Sequence, residues 1–168
     1  QGMNALIVDL RDNPGGWVDD GVKIADLFLD HKLIYYAEDR AGSQEKFYTT
    51  NGKDDIPLVF LVNENSASSS EIVTAALKDY KRATVIGEKT FGKGIIQYVI
   101  PLSDNKSGFQ FTYAQYFSPL GYKVHKEGVV PDIIVEMPED LKSMFFELGD
   151  MTDPQLARAY EEARKFGE

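Results

Sequence analysis

The sequence predicts an α/β fold with a largely parallel sheet. Two nearly continuous apolar runs, residues 4–10 and 58–62, have the composition of strands that are covered on both faces. Each run is followed by a turn and then by apolar residues at helical spacing. Strands that alternate with helices in this way indicate an α/β architecture.

The first strand–turn–helix unit is predicted over residues 4–29. The strand at 4–10 ends in Arg-Asp-Asn-Pro-Gly-Gly at 11–16, a dense turn signal, and the helix follows at about 18–29. Two further strands, at 32–38 and 46–50, are linked by residues 40–43. This short polar connection predicts a β-hairpin.

The second unit begins with the strand at 58–62 and continues through small residues at 66–71 into a helix that ends near Tyr80. Three strands are predicted at 83–86, 95–102 and 109–117, followed by a last extended piece at 129–135; a glycine-rich loop at 87–94 follows the first, and a hairpin turn at 104–108 joins the second and third. A final helix is predicted from Pro154 to about Lys165, with Asp153 as its N-cap.

Composition narrows the function classes. The chain has 168 residues, 43% of them hydrophobic, which suits one globular domain. A net charge of -9 argues against nucleic acid and anionic lipid as partners. There is no cysteine, which excludes disulfides and thiolate metal sites, and the two histidines lack zinc-ligand spacing, so no zinc site is expected. Because the chain enters an apolar strand almost at once, it is interpreted as a piece of a longer protein.

Ser68 lies among small residues between a predicted buried strand and a predicted helix. Its hydroxyl would face the open end of the sheet, where sites of α/β proteins usually lie. The first amides of the helix could bind an oxyanion. Ser68 and Glu71 also match a capping box, in which the serine only caps the helix. Taken alone, the segment favours capping.

Lys93 is the best candidate for a base that could activate a serine, which is a poor nucleophile by itself. His31 and His125 are interpreted as ordinary surface residues. Lys93 lies between Gly92 and Gly94, where glycines permit a close approach. Its amine would have to be buried enough to lose its proton far below a free pKa of ~10.4. A solvated loop lysine explains the segment better when it is read alone, and a phosphate-binding loop fits less well because the Walker spacing is absent.

Two further features could support such chemistry. The turn that contains Gly15 and Gly16 could expose an amide as a second oxyanion donor, although a plain left-handed turn explains it equally well. Gln97 lies four residues after Lys93 and could orient the lysine amine through its side-chain amide.

Several segments together resemble the carboxy-terminal processing peptidases, also called tail-specific proteases. The matching segments occur in the family's order and cover nearly the whole chain: 6–16, 57–63 with 66–71, 87–94 with Gln97, 116–121, 128–132 and 153–156. The resemblance implies a core of ββα units with a curved sheet, like that of ClpP and the crotonases. It also identifies residues 1–168 as a peptidase catalytic core domain.

The resemblance implies a site without metal or cofactor. Ser68 would be the nucleophile of a Ser-Lys dyad, Lys93 its base and Gln97 an assisting residue. The backbone amides of Gly15 and Ser69 would form the oxyanion hole. Ser69 stands where the family commonly has alanine, a mild change because only its amide is needed. The implied activity is that of a serine endopeptidase that forms an acyl-enzyme and cleaves proteins near the C-terminus.

The same resemblance implies partners and a location. Substrates would be proteins or peptides, and the family usually carries a PDZ domain and an N-terminal helical part, which we expect in the full-length chain. A homo-oligomer is possible. The family works mostly outside the cytoplasm, so the periplasm or cell envelope of a bacterium is expected.

Two alternatives remain open at the level of sequence. Some proteins of this fold have lost the dyad and bind lipophilic small molecules, but the presence of Ser68, Lys93 and Gln97 favours the enzyme. An enoyl-CoA hydratase relative would share only the architecture and would bind coenzyme A.

Overall fold

Two four-stranded sheets and three helices form the fold in the computed structural model, which describes residues 2–52, 54–104, 106–147 and 149–166. The elements follow the chain as β1 (Leu6–Asp9), α1 (Val18–Asp26), β2 (Leu33–Asp39), β3 (Gln44–Tyr48), β4 (Leu58–Val62), α2 (Ser69–Asp79), β5 (Ala83–Gly87), β6 (Ile95–Pro101), β7 (Gly108–Phe117), β8 (Ile133–Ile134) and α3 (Pro154–Arg164). The predicted hairpin turn at 104–108 includes Asn105, which lies outside the described residues.

The first sheet is parallel, with strand order β1-β4-β5-β8. All residues of β4 are buried because the strand is covered on both faces. Leu58, Phe60 and Val62 join the main core with residues of α2, whereas Val59 and Leu61 pack in a second cluster with Ala159 of α3. This confirms the α/β class and the parallel sheet that the apolar runs predicted.

The second sheet is antiparallel, with order β3-β2-β7-β6. Its two hairpins, β2–β3 and β6–β7, were predicted from sequence, but the pairing of β2 with β7 joins segments far apart in the chain. Tyr36 lies opposite Phe117 in this pairing, with ring centroids 5.0 Å apart. The observed fold therefore adds an antiparallel sheet to the parallel one.

Three element boundaries have clear local causes. Helix α1 ends at Asp26, before the predicted residue 29, and the Leu27 carbonyl accepts from the Asp54 amide at 2.7 Å. The last extended piece pairs only over Ile133–Ile134, because Val129 is already bonded in both directions to Thr90. The predicted cap of α3 is confirmed, since the Asp153 carboxylate accepts from the amides of residues 155 and 156.

Candidate active site

Ser68 occupies a strained turn between β4 and α2. Its φ of 57° and ψ of -121° lie in a region that residues with a side chain rarely adopt. Such strain costs on the order of 1–3 kcal/mol and persists only where neighbours hold it. Here Ser66 is fully buried and its hydroxyl donates to the Leu10 carbonyl at 2.7 Å, while the Ala67 amide donates to the Asn13 carbonyl at 3.0 Å.

Glu71 joins the turn at Ser68 to the loop that carries Lys93. Its side chain is fully buried, and Oε2 accepts from the Ser68 amide at 2.9 Å and from the Lys93 amide at 2.8 Å. The other oxygen accepts from the Thr90 hydroxyl at 2.5 Å and the Gly92 amide at 2.7 Å. Thus the carboxylate side of the predicted capping box forms, and the same carboxylate also orders a second loop.

Tyr116 of β7 makes a second link between the same two residues. Its hydroxyl lies 2.8 Å from the Lys93 carbonyl and 3.2 Å from the Ser68 carbonyl. Its amide donates to the Gly94 carbonyl at 3.1 Å. Burial is the main cause that raises the pKa of Tyr116, with Glu71 and Tyr35 adding to it, so the hydroxyl remains a donor.

The Lys93 side chain is exposed although its main chain is fixed. Within the described part of the chain, no hydrogen bond joins the Lys93 amine to the Ser68 hydroxyl. Gly94 explains the tight main chain, because a Cβ at this position would lie 2.3 Å from the His125 amide nitrogen. His125, which the sequence suggested was an ordinary surface residue, is half-buried, and its Nδ1 is buried without a hydrogen-bond partner among the described residues.

Gln97 lies on β6 and is exposed. Its side-chain oxygen accepts from the Gln110 amide group at 3.0 Å, across the β6–β7 hairpin. In this arrangement Gln97 is bonded along the hairpin, so an orienting role toward Lys93 would require its side chain to turn.

Gly15 approaches the turn at Ser68 more closely than any other residue type could. A Cβ at Gly15 would lie 2.5 Å from the Ala67 carbonyl oxygen and 2.8 Å from the Ser69 nitrogen, and its φ is +83°. Both amides of the glycine pair are already used: that of Gly15 donates to Asn13 Oδ1 and that of Gly16 to Ser69 Oγ, each at 2.9 Å. The Ser69 amide, at the start of α2, has no acceptor within the helix.

An apolar cavity of about 260 Å³ opens beside this glycine pair. Gly15, Gly16 and Ser69 line it together with the apolar side chains Val8, Leu10, Ile24, Phe60 and Val73. A larger cavity of about 840 Å³ is lined by Glu64, Glu88 and residues 130–142, and none of the predicted catalytic residues contributes to it. The smaller cavity therefore lies directly beside the turn at Ser68.

The Asp12 side chain, just before the glycine pair, is held by the side-chain amides of two asparagines. The Asp12 carboxylate accepts from Asn65 Nδ2 at 2.8 Å and from Asn63 Nδ2 at 3.0 Å, and these bonds lower the pKa of Asp12.

Within the described residues, no group of three or more His, Cys, Asp or Glu side chains could hold a metal ion. No helix in this part of the chain has the length and apolar character needed to cross a membrane.

Comparison with known proteins decides the family. The sequence profile of peptidase family S41 matches residues 1–135. The carboxyl-terminal-processing protease of Synechocystis sp. is 49% identical over 140 residues, which cover 82% of this chain and 32% of the relative. This chain belongs to peptidase family S41. The predicted resemblance to the carboxy-terminal processing peptidases is confirmed, and the alternative of an inactive binding module is not favoured.

Two further relatives support membership of family S41. The chloroplastic C-terminal processing peptidase of Tetradesmus obliquus is 39% identical over 161 residues, covering 93% of this chain and 34% of the relative. The solved photosystem II D1 C-terminal processing protease aligns with a TM-score of 0.74 at 39% identity, covering 79% of this chain and 35% of that one. The chain spans about a third of the length of the curated relatives it matches.

Sequence reasoning missed the bridging roles of Glu71 and Tyr116. Glu71 was noted only as the partner of Ser68 in a capping box, and Tyr116 only as the first residue of a matching segment. The usable sequence signal for Glu71 was the capping-box pattern, which places an acid three residues after Ser68 and directly before an apolar run. The position of the Tyr116 hydroxyl depends on strand pairing that no local pattern reveals.

Proposed function

We propose that this chain is the catalytic core of a serine endopeptidase that uses Ser68 as nucleophile and Lys93 as general base. The observation that carries the proposal is the convergence of both main-chain amides on one oxygen of Glu71, at 2.9 and 2.8 Å. Their nitrogens are therefore no farther apart than the sum of these distances, about 5.7 Å. A flexible lysine side chain can span such a separation and reach the serine hydroxyl.

The proposed reaction is acyl transfer. Neutral Lys93 takes the hydroxyl proton of Ser68 while Oγ forms a bond to the substrate carbonyl carbon. The lysine ammonium then gives this proton to the leaving amine as the C–N bond breaks. A water molecule, deprotonated by the same amine, attacks the acyl-enzyme, and the proton returns to Ser68 as the acid product leaves.

The oxyanion would be bound by the amides of Ser69 and Gly15. The Ser69 amide is at the positive end of α2, which favours negative charge. The Gly15 amide donates to Asn13 Oδ1 at 2.9 Å, so it must leave Asn13 to bind the oxyanion. The substrate would thus complete the site as it binds.

The base also requires a rearrangement. A lysine can accept a proton only in its neutral form, which loss of contact with water favours. Lys93 must therefore turn toward Ser68 and leave the solvent before it can act as the base. A peptide that lies over Lys93 would exclude this water, and Gln97 could then exchange Gln110 for the lysine amine. The apolar cavity beside Gly15 would receive a substrate side chain.

The whole protein would cleave protein substrates near their C-termini, as the names of the relatives from Synechocystis and Tetradesmus suggest. We extend the proposal to a location outside the cytoplasm, in the periplasm or cell envelope of a bacterium, and to a PDZ domain elsewhere in the full-length chain. A homo-oligomer is compatible with this function.

Proteolysis by matched variants of the full-length protein tests the proposal. Ser68→Ala and Lys93→Ala should each lower kcat/KM on an unfolded protein substrate by about a thousandfold or more. Ser143→Ala and Lys46→Ala change exposed residues of the same types and should leave the rate unchanged. A serine-directed fluorophosphonate should label the wild type at Ser68. Wild-type cleavage by Ser68→Ala would refute the nucleophile.

A further inference from the structure

Tyr116 contacts the nucleophile and base segments from inside the protein. The side chain is only 2% exposed, and its hydroxyl lies within hydrogen-bond distance of the carbonyls of Ser68 and Lys93. These two residues come from different loops, one before α2 and the other before β6. A single buried group therefore joins the two halves of the proposed dyad.

The contact of the Tyr116 hydroxyl with two carbonyl oxygens restricts the movement of both loops. A phenol has one proton to donate, and both carbonyl oxygens compete for it. The shorter distance, 2.8 Å to Lys93, marks the stronger bond, and the 3.2 Å contact to Ser68 is the weaker arm. Because each carbonyl lies close to the same oxygen atom, neither loop can move away without losing a bond that buried polar groups need.

Glu71 and Tyr116 bind opposite ends of the main chain of the same two residues, Ser68 and Lys93. Glu71 binds the amides of Ser68 and Lys93, whereas Tyr116 binds their carbonyls. Contacts on the amide side alone would leave each residue free to rotate about its own φ and ψ. With the carbonyls also bound, the direction of each Cα–Cβ bond is fixed, and the exposed Lys93 amine has only its side-chain torsions to adjust.

We propose that the Tyr116 hydroxyl is a positioning residue that sets the distance and orientation between Ser68 and Lys93. The inference rests on the proposed function, because it assigns Tyr116 a role only if these two residues react. Tyr116 does not contact the substrate in this scheme. It acts through the main chain of the nucleophile and of the base, so that the amine reaches the serine hydroxyl when a substrate binds.

The direct test is Tyr116→Phe in the full-length protein, which removes one oxygen atom and keeps the buried ring. Tyr80→Phe is the matched control, because the Tyr80 hydroxyl also donates to a backbone carbonyl, that of Leu33 at 3.0 Å, at the opposite end of α2. Tyr116→Phe should lower kcat about ten- to a hundredfold with KM changed less than about twofold, since misplaced reacting groups lose rate rather than binding. Tyr80→Phe should retain wild-type kcat.

The pH profile separates positioning from a structural role. The titratable groups that face Tyr116 are Glu71 and Tyr35. With the hydroxyl removed, Lys93 is less well held beside Ser68 in the substrate complex and its amine stays more hydrated there, so the acid limb of kcat, which reports that complex, should move up by about one pH unit. An unshifted limb, or an equal loss of kcat in Tyr80→Phe, would overturn the inference.

The outcome can be separated from failure of the proposed function. If Ser68→Ala and Lys93→Ala cleave like wild type, the dyad itself is wrong. If both are inactive and Tyr116→Phe behaves like Tyr80→Phe, only the role of Tyr116 fails. Should Tyr116→Phe not fold, 3,5-difluorotyrosine at position 116 keeps the ring and the hydroxyl and lowers the pKa of the phenol. Its kcat should then fall at alkaline pH relative to wild type, and an unchanged alkaline limb would contradict the inference.

Discussion

The β4–α2 unit, which carries the turn at Ser68, and the β6–β7 hairpin differ in how completely their side chains are packed. Every residue of β4 is buried, and α2 is buried from Ser69 to Leu77. By contrast, β6 is exposed from Gln97 to Pro101. The difference teaches that the proposed site has a rigid half, which holds Ser68, and an open half, in which only the main chain of Lys93 is fixed.

The hairpin is held by contacts between its own side chains. Tyr98 of β6 lies 5.1 Å from Tyr113 and 6.2 Å from Phe111 of β7, measured between ring centroids. Yet Tyr98, Val99, Ile100 and Phe109 are all more than half exposed. Cross-strand pairs of this kind contribute only about 0.2–1 kcal/mol each. The hairpin can therefore adjust at a small cost, whereas the turn at Ser68 cannot.

The largest expected effect comes from Glu71, the residue that joins the two halves. Glu71→Ala leaves four donors without this acceptor, two of them buried and two part-buried, and should lower the free energy of unfolding by about 3–5 kcal/mol. Glu45→Ala, which changes an exposed glutamate of β3, should stay within about 0.5 kcal/mol of wild type. Urea denaturation followed by circular dichroism measures both. A loss below about 1 kcal/mol in Glu71→Ala would mean that this carboxylate does not hold the two loops together.

The second-largest expected effect concerns the contact of Gly15 with the turn at Ser68. If the proposed oxyanion hole is correct, Gly15→Ala should lower kcat/KM about a hundredfold or more, because the added Cβ pushes the glycine loop away from Ser69 and misplaces a proposed oxyanion donor. Gly42→Ala is the matched control, since Gly42 also has a positive φ, +85°, but has open space around it. Its backbone strain should cost about 1 kcal/mol of stability and no activity.

Equal losses of activity in the two glycine variants would contradict this steric argument. In that case, backbone strain in general, rather than the approach of Gly15 to Ser69, would account for the effect. Activity and thermal unfolding should therefore be measured on the same preparations of both variants.

The sequence predicted the rigid half better than the open one. The apolar run of β4, the turn at 11–16 and the start of α2 all follow from local composition and were correctly located. The place of Tyr116 was not predictable, because it depends on how β7 pairs with β2 and β6. Tyr116 is 48 residues from Ser68 in the chain, and only this pairing brings its hydroxyl to the Ser68 carbonyl.

A pair of identical substitutions measures the contrast in packing between the two halves. Val59 in β4 is fully buried, and Val99 in β6 is 63% exposed. Val59→Ala should destabilise the fold by about 2 kcal/mol, because it removes buried methyl groups and leaves a cavity. Val99→Ala should change the free energy of unfolding by less than about 0.5 kcal/mol. Similar costs for the two, in chemical denaturation, would show that the hairpin is packed in solution.

The smallest expected effect tests a second carboxyl at the rigid end of the parallel sheet. Glu88 follows β5 and accepts from the Met137 amide at 3.2 Å, and burial is the main cause that raises its pKa above 4.5, with the neighbouring Glu64 adding to it. A carboxyl whose pKa is higher in the folded state stabilises the fold below its unfolded pKa. This contribution is lost as pH rises through the folded value.

Glu88→Gln mimics the protonated carboxyl, so its melting temperature relative to wild type should rise between pH 4 and pH 7. Glu45→Gln, on the exposed β3 strand, should show no such rise. Calorimetric melting curves at both pH values measure the difference. If the difference in melting temperature between Glu88→Gln and wild type is the same at both pH values, the packed end of β5 accepts an ionised carboxylate at position 88 without cost.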